Sequence, residues 1–146
     1  MQITAYDLAQ RFVGVKEFPG DKDNPFVMSM LQLDTNWPAH DEVPWCSAFV
    51  NYICWLLRLP RSKNLLARSW LEVGVPISAQ YAAPGFDVAV FRRGESGGHV
   101  GFFSAAIIPL AQYDEPRIYV LGGNQGNSVS VTSLRTADLL GIRRLV

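Results

Sequence analysis

The stretch that decides the fold is an apolar run bounded by prolines: Val43-Pro44-Trp45-Cys46-Ser47-Ala48-Phe49-Val50-Asn51-Tyr52-Ile53-Cys54-Trp55-Leu56-Leu57-Arg58-Leu59. Pro44 suits the start of a helix and Pro60, which follows the run, suits its end, because proline lacks the N–H that a helix interior uses. Apolar residues fall on nearly every side of the helix between them, which is typical of a helix at the centre of a domain. The sequence therefore predicts a buried central helix with Cys46 in its first turn.

The two cysteines of the chain lie in this stretch. Unpaired N–H groups and the helix dipole surround a side chain in the first turn, and they favour the nucleophilic thiolate. Cys46 is therefore a candidate for covalent catalysis, with a small buried core residue as the alternative. Cys54 lies mid-helix among apolar neighbours and is interpreted as core. Eight residues on one helix span about 12 Å, which is too far for a disulfide.

Size and composition limit the possible functions. The chain has 146 residues, 49% of them hydrophobic, which predicts one domain over residues 1–146 with a sizeable core. A net charge of +0 argues against a nucleic-acid partner, because that binding needs many contacts from Lys and Arg to phosphate. We expect no membrane span, because the sequence has no apolar run of 18 residues. We expect no signal peptide, because the N-terminal segment carries several charged residues. The cysteines and histidines lack zinc-finger spacing, and no metal is expected.

Helical patterns come first in the chain and strand patterns follow. Helices are predicted at 4–13, 25–33, the central run and 62–71. Strands are predicted at 88–91, 100–108, 117–121, 128–131 and 142–146, with a short helical turn at 136–140. This order predicts an α+β domain in which helices cover one side of an antiparallel sheet.

The register of the second and third strands places a histidine beside an amide. If Ile107 lies opposite Arg117 or the proline before it, paired residue numbers add up to about 223 or 224. His99 then lies beside Asn124 or Gln125 at one edge of the sheet. A shift of this register by one residue would move the paired side chains to the other face of the sheet.

These residue types form a catalytic set. His99 can accept the thiol proton of Cys46 and later return it to a leaving amine. Asn124 can fix the tautomer of the imidazole, with Gln125 in reserve. The backbone N–H of Cys46 can help to bind an oxyanion. His40, close to Cys46 in sequence, is a rival base without an obvious orienting partner.

Several blocks, in this order, resemble a known family. They are Asp41-x-Val43-Pro44-Trp45-Cys46-Ser47-Ala48-Phe49-Val50-Asn51, Ala67-Arg68-Ser69-Trp70, Asp87-Val88-Ala89-Val90-Phe91-x-Arg93-Gly94, Gly98-His99-Val100-Gly101-Phe102 and Gly122-Gly123-Asn124-Gln125. The set is similar to the phage-lysin branch of the NlpC/CHAP superfamily of cysteine peptidases, over most of the chain. The resemblance implies a papain-like fold, with N-terminal helices and a buried catalytic helix packed on a C-terminal sheet. Cys46 matches the family's nucleophile, His99 its base and Asn124 its variable polar third position.

The resemblance also implies a substrate, peptidoglycan, and residues that could contact it. Trp45 and Trp70 could line a groove or could be packing. Glu17 and Asp41 could contact amines of the stem peptide or could be solvated loop carboxylates. Gln125 is a further candidate for substrate contact. Trp45 stands where many relatives have Asp before the Cys, so the bond that is cut stays open.

We therefore expect a peptidoglycan hydrolase that cuts an amide bond in the stem peptide, or at its junction with the sugar, through an acyl-enzyme and without a cofactor. It would be made in the cytoplasm and act at the bacterial cell wall after delivery by lysis, a phage particle or a secretion machinery. The alternatives are a noncatalytic wall-binding or phage tail module, an exported antibacterial toxin with an immunity protein as partner, and an acyltransferase.

Overall fold

The computed structural model describes residues 2–107 and 115–146. In these ranges lie three helices, namely α1 (Ala5–Gln10), α2 (Pro25–Leu31) and α3 (Cys46–Leu57). The strands are β1 (Val75–Ile77), β2 (Asp87–Arg93), β3 (Gly97–Ile107), β4 (Arg117–Gln125), β5 (Ser128–Arg135) and β6 (Leu139–Arg144). They form one antiparallel sheet in the order β1-β6-β2-β3-β4-β5. The predicted combination of helices with an antiparallel sheet is confirmed.

The region between α3 and β2 differs from the prediction. Instead of a helix over 62–71, a 3₁₀ helix covers only Ala67–Glu72. The strand β1 was not expected in a link that contains proline, but β1 is an edge strand, where a missing N–H is tolerated. The helical turn predicted at 136–140 is a 3₁₀ turn at Thr136–Asp138, followed at once by β6. The predicted strand end at Ile108 lies outside the described residues.

The helix α3 is buried from Cys46 to Cys54, except for the half-buried Tyr52, as the sequence predicts, but Trp55 and Leu56 in its last turn are exposed. It begins at Cys46, and it ends where Arg58 takes a left-handed conformation with φ 55°. It packs on β3 and β4, where the ring of Phe49 meets that of Phe102 edge-on at 6.2 Å between centroids. Burial of each such aromatic side chain contributes about 2–3 kcal/mol. None of the described helices has the length and apolar character needed to cross a membrane.

Gly123 brings β4 against the head of α3. A Cβ at this position would lie 2.7 Å from the Cβ of Phe49 and 2.8 Å from the ring of Trp45. Contacts this short do not occur, so only glycine allows the strand backbone to approach so closely. The end of β4 is thereby fixed beside the first turn of α3.

The predicted register between β3 and β4 is confirmed. Paired residue numbers add up to 224 at Ile107 with Arg117 and, after a bulge in β3, to 223 at Phe102 with Leu121. His99 lies beyond these pairs, where β3 still pairs with Phe91 of β2.

The second face of the sheet, away from α3, has its own apolar core. It is built from Ala89, Phe91, Phe103, Ile118, Val120 and Ile142. Because side chains alternate along a strand, His99 lies on the same face as Phe91 and Phe103.

Candidate active site

Cys46 lies at the head of α3 and is 6% exposed. The backbone N–H of Val100, the residue after His99, is close enough to the sulfur to lower the pKa of the thiol. The thiol is therefore beside the strand that carries the candidate base. This neighbourhood is the one that the sequence predicts for the nucleophile.

The helix head does not lower the pKa of the Cys46 thiol below its ordinary value, contrary to the prediction from the sequence. Burial raises the pKa of the Cys46 thiol above its ordinary value. Hydrogen bonds from the N–H groups of Val100, Ser47 and Cys46 and the charge of Arg93 lower it, but by less. The first turn acts in the expected direction, and the loss of water outweighs it.

His99 is fully buried near the start of β3. Its Nε2 is 2.8 Å from Oε1 of Gln125. Its Nδ1 is also buried and has no hydrogen-bond partner among the described residues, Cys46 included. Burial lowers the pKa of His99 to about 4, the bond to Gln125 opposes that shift, and the charge of Arg93 adds to it. The imidazole is therefore neutral at pH 7.

The surroundings of Gln125 determine which nitrogen of His99 carries the proton. Nε2 of Gln125 donates to the carbonyl of Ser130 at 2.7 Å and faces that of Val120 at 3.4 Å. These contacts direct Oε1, which can only accept, towards the imidazole. Nε2 of His99 must therefore be the protonated nitrogen, so the unpartnered Nδ1 carries a free lone pair. The ring is in the tautomer that a general base needs.

Gln125, the reserve candidate, and not Asn124 is the partner of His99. Asn124 has φ 57°, in the left-handed region, which redirects its side chain relative to the strand alternation. The ladder between β4 and β5 also shifts between Gly122 and Gln125. Asn124 is half-buried and lines a cleft beside the site. The register was correct, but this local turn exchanges the roles of the two amides.

The two tryptophans considered for a substrate groove, Trp45 and Trp70, are packing residues in this structure. Trp45 is fully buried, and its indole N–H donates to Oε1 of Glu17 at 2.9 Å. Trp70 is fully buried as well, and its indole N–H donates to Oγ of Ser47 at 2.8 Å. Neither ring lines a groove, and the carboxylate of Glu17 holds the chain before α2 against the head of α3.

Asp41 is buried and forms hydrogen bonds within the protein. It is 1% exposed, and its Oδ2 accepts hydrogen bonds from the N–H groups of Phe18 and Asn24 at 2.9 and 2.8 Å. It joins the loop before α3 to the loop before α2. His40 is exposed, and its Nδ1 lies 3.4 Å from Oδ2 of Asp23. Its imidazole is thus engaged with Asp23, which argues against a role as the base for Cys46.

A basic cleft adjoins the site on the face of the sheet away from α3. Its volume is about 680 Å³, and it is lined by Arg92, Arg93, Arg117, Asn124, Gln125, Gly126, residues 130–135 and Asp138. This cleft is not evident from the sequence, because its arginines come from three separate strands. The alternation of β2 could have placed Arg93 on the face of His99.

The described residues contain no group of three or more His, Cys, Asp or Glu side chains placed to hold a metal ion. Comparisons with protein-family models, with curated proteins and with solved structures found no match for this chain.

Proposed function

We propose that the protein is a cysteine hydrolase with a papain-like arrangement, of the NlpC/CHAP kind, that cleaves an amide bond of peptidoglycan. The observation that carries the proposal is the hydrogen bond from His99 to Gln125, which leaves Nδ1 free on β3, the strand against which the helix of Cys46 packs. Sequence blocks around Cys46, His99 and Gln125 support the peptidoglycan substrate through their resemblance to phage lysins.

The resting site holds a neutral thiol and a neutral imidazole. Proton transfer therefore accompanies attack: the S–H proton of Cys46 moves to Nδ1 of His99 as sulfur bonds to the amide carbon. The first N–H groups of α3 have no helical partner and can bind the oxyanion that forms. The C–N bond then breaks, and the imidazolium returns its proton to the leaving amine. Water, deprotonated by the same imidazole, releases the acyl group as a carboxylate.

Attack requires Nδ1 and the sulfur to come into hydrogen-bond contact, although α3 and His99 belong to opposite faces of the sheet. The contact would form beyond Phe102, where β3 no longer pairs with β4 and the head of α3 reaches the edge of β3. Such contacts are often absent from a free enzyme and form in the substrate complex. Opposite charges that form together stabilise each other, which reduces the cost of ionising two buried groups.

Purified peptidoglycan sacculi provide the direct test. We expect the protein to release soluble fragments, each cut producing one new amine and one new carboxylate, as measured by mass analysis. A free lactyl carboxylate on the sugar would identify an amidase, and an amine within the stem peptide an endopeptidase. Binding to sacculi without fragments would contradict the proposal and would identify a noncatalytic wall-binding module.

The role of Gln125 gives a second test. Gln125→Met removes the acceptor that fixes the tautomer of His99, and we expect kcat/KM to fall by about 10²-fold or more. Asn124→Gly suits the left-handed backbone at that position and should cause a much smaller loss. Thermal melts of both variants would report whether the fold is kept. An equal or larger loss for Asn124→Gly would contradict the assignment of Gln125.

A further inference from the structure

The basic cleft beside Gln125 has an unbalanced charge. Four arginines line it, against one carboxylate, that of Asp138. Asp138 lies 3.5 Å from Arg92 and is therefore already paired. A cleft of this charge on a chain of zero net charge favours an anionic ligand. Its volume of about 680 Å³ falls within the range of small-molecule and peptide sites.

Three of the arginines have partners within the protein. Arg92 pairs with Asp138, and Arg135 lies 3.0 Å from Oε2 of Glu115. Arg117 donates to the hydroxyl and the carbonyl of Ser133 at 2.8 and 2.9 Å. Each of these three guanidinium groups therefore already has a partner within the protein.

Arg93 is different. It is exposed, and among the described residues it makes no hydrogen bond or ion pair through its side chain. It lines the basic cleft, and it also lines a neighbouring cleft of about 700 Å³ with Arg92, Gly94, Glu95 and Asp138. Its guanidinium is thus available to a ligand that reaches either cleft.

The position of Arg93 connects it to the reacting groups. It lies two residues after Phe91, which pairs with His99, so the side chains of Arg93 and His99 share one face of the sheet. The residue that pairs with Arg93 is Gly97, which has no side chain to separate the two. Gln125 forms a common wall, because it lines the basic cleft and bonds to His99.

We propose that Arg93 binds a free carboxylate of the stem peptide and thereby determines which peptides are cut. A guanidinium can donate two parallel hydrogen bonds to a carboxylate, which gives geometric selection as well as affinity. An amidated carboxyl group keeps its shape but loses the charge and one acceptor oxygen. The proposal rests on the function proposed above, and it names the anionic part of the substrate.

The test compares one muropeptide in two forms, with its stem-peptide carboxylates free and with the same groups amidated. The wild type should prefer the free form in kcat/KM by about 10- to 100-fold, because loss of a hydrogen bond to a charged group weakens binding by about that factor. Arg93→Gln should remove this preference, mainly through a higher KM for the free form. Any effect of the lost charge on the pKa values of Cys46 and His99 acts on both forms and cancels in the ratio of the two kcat/KM values. Arg11→Gln, which removes the same charge from the exposed end of α1, is the control and should keep the preference.

A wild type that cuts both forms equally well, or a preference that Arg93→Gln leaves unchanged, would overturn the role of Arg93. Binding measured by calorimetry on Cys46→Ala separates this outcome from a failure of the proposed function. If the wild type cuts neither form, and Cys46→Ala with intact Arg93 still binds the free form better, the hydrolase proposal fails and the carboxylate site stands. If the double variant with Arg93→Gln binds both forms as Cys46→Ala does, the carboxylate site fails.

Discussion

Cys46→Ala is expected to lower the rate of peptidoglycan cleavage by at least about 10⁴-fold, because the reaction loses its nucleophile. The N–H groups at the head of α3 and the His99–Gln125 pair would remain, but without sulfur no acyl-enzyme can form. The measurement is the initial rate of fragment release from purified sacculi, at equal concentrations of wild type and variant. Binding to sacculi should be retained.

Cys54→Ala is the matched control, since the same helix carries both thiols. Cys54 is fully buried, and burial raises its pKa to about 12. It is therefore chemically inert, and its loss should reduce the free energy of unfolding by about 1 kcal/mol while leaving cleavage intact. Cleavage by Cys46→Ala at a rate near that of the wild type would exclude Cys46 as the nucleophile.

The features that follow from local pattern were predictable from the sequence. The prolines on either side of an apolar run predicted the bounds of α3 to within two residues, because proline is tolerated at a helix start and ends a helix that precedes it. The pairing of Ile107 with Arg117 followed from strand ends alone. In contrast, β1 depends on the edge that β6 offers it, because the proline at its centre argues against a strand despite the flanking Val75 and Ile77.

The site was predictable as a neighbourhood but not as a set of contacts. His99 and the 124–125 pair came out of the register, whereas the choice of Gln125 depends on the left-handed φ of Asn124 and on the carbonyl of Ser130. The state of the Cys46 thiol could not be predicted either. The helix head is visible in the sequence, but the larger effect, burial, comes from packing of the whole domain.

His99→Gln is expected to lower cleavage by about 10²- to 10⁴-fold, the usual contribution of a general base. The replacement keeps an N–H that can donate to Oε1 of Gln125, so the buried acceptor is not left unpaired. It cannot take a proton from Cys46. Fragment release from sacculi measures the loss, and activity close to that of the wild type would mean that another group is the base.

The same variant should also change how stability depends on pH. The pKa of His99 is about 6.5 in the unfolded chain and about 4 in the folded protein, because burial disfavours the imidazolium. Between these values the unfolded state binds more protons, so the free energy of unfolding decreases as the pH falls from 7 towards 4. The contribution of His99 to this decrease is about 3 kcal/mol.

Denaturant unfolding of wild type and His99→Gln at pH 7 and pH 4 measures that contribution. Other groups that bind protons in acid affect the stability of both proteins alike. The difference between the two proteins therefore isolates His99, and the variant should lose less stability by about 3 kcal/mol. An equal acid sensitivity would mean that His99 is hydrated or charged in solution. In that case the neutral thiol–imidazole pair, on which the order of proton transfer and attack depends, would have to be replaced by a resting ion pair.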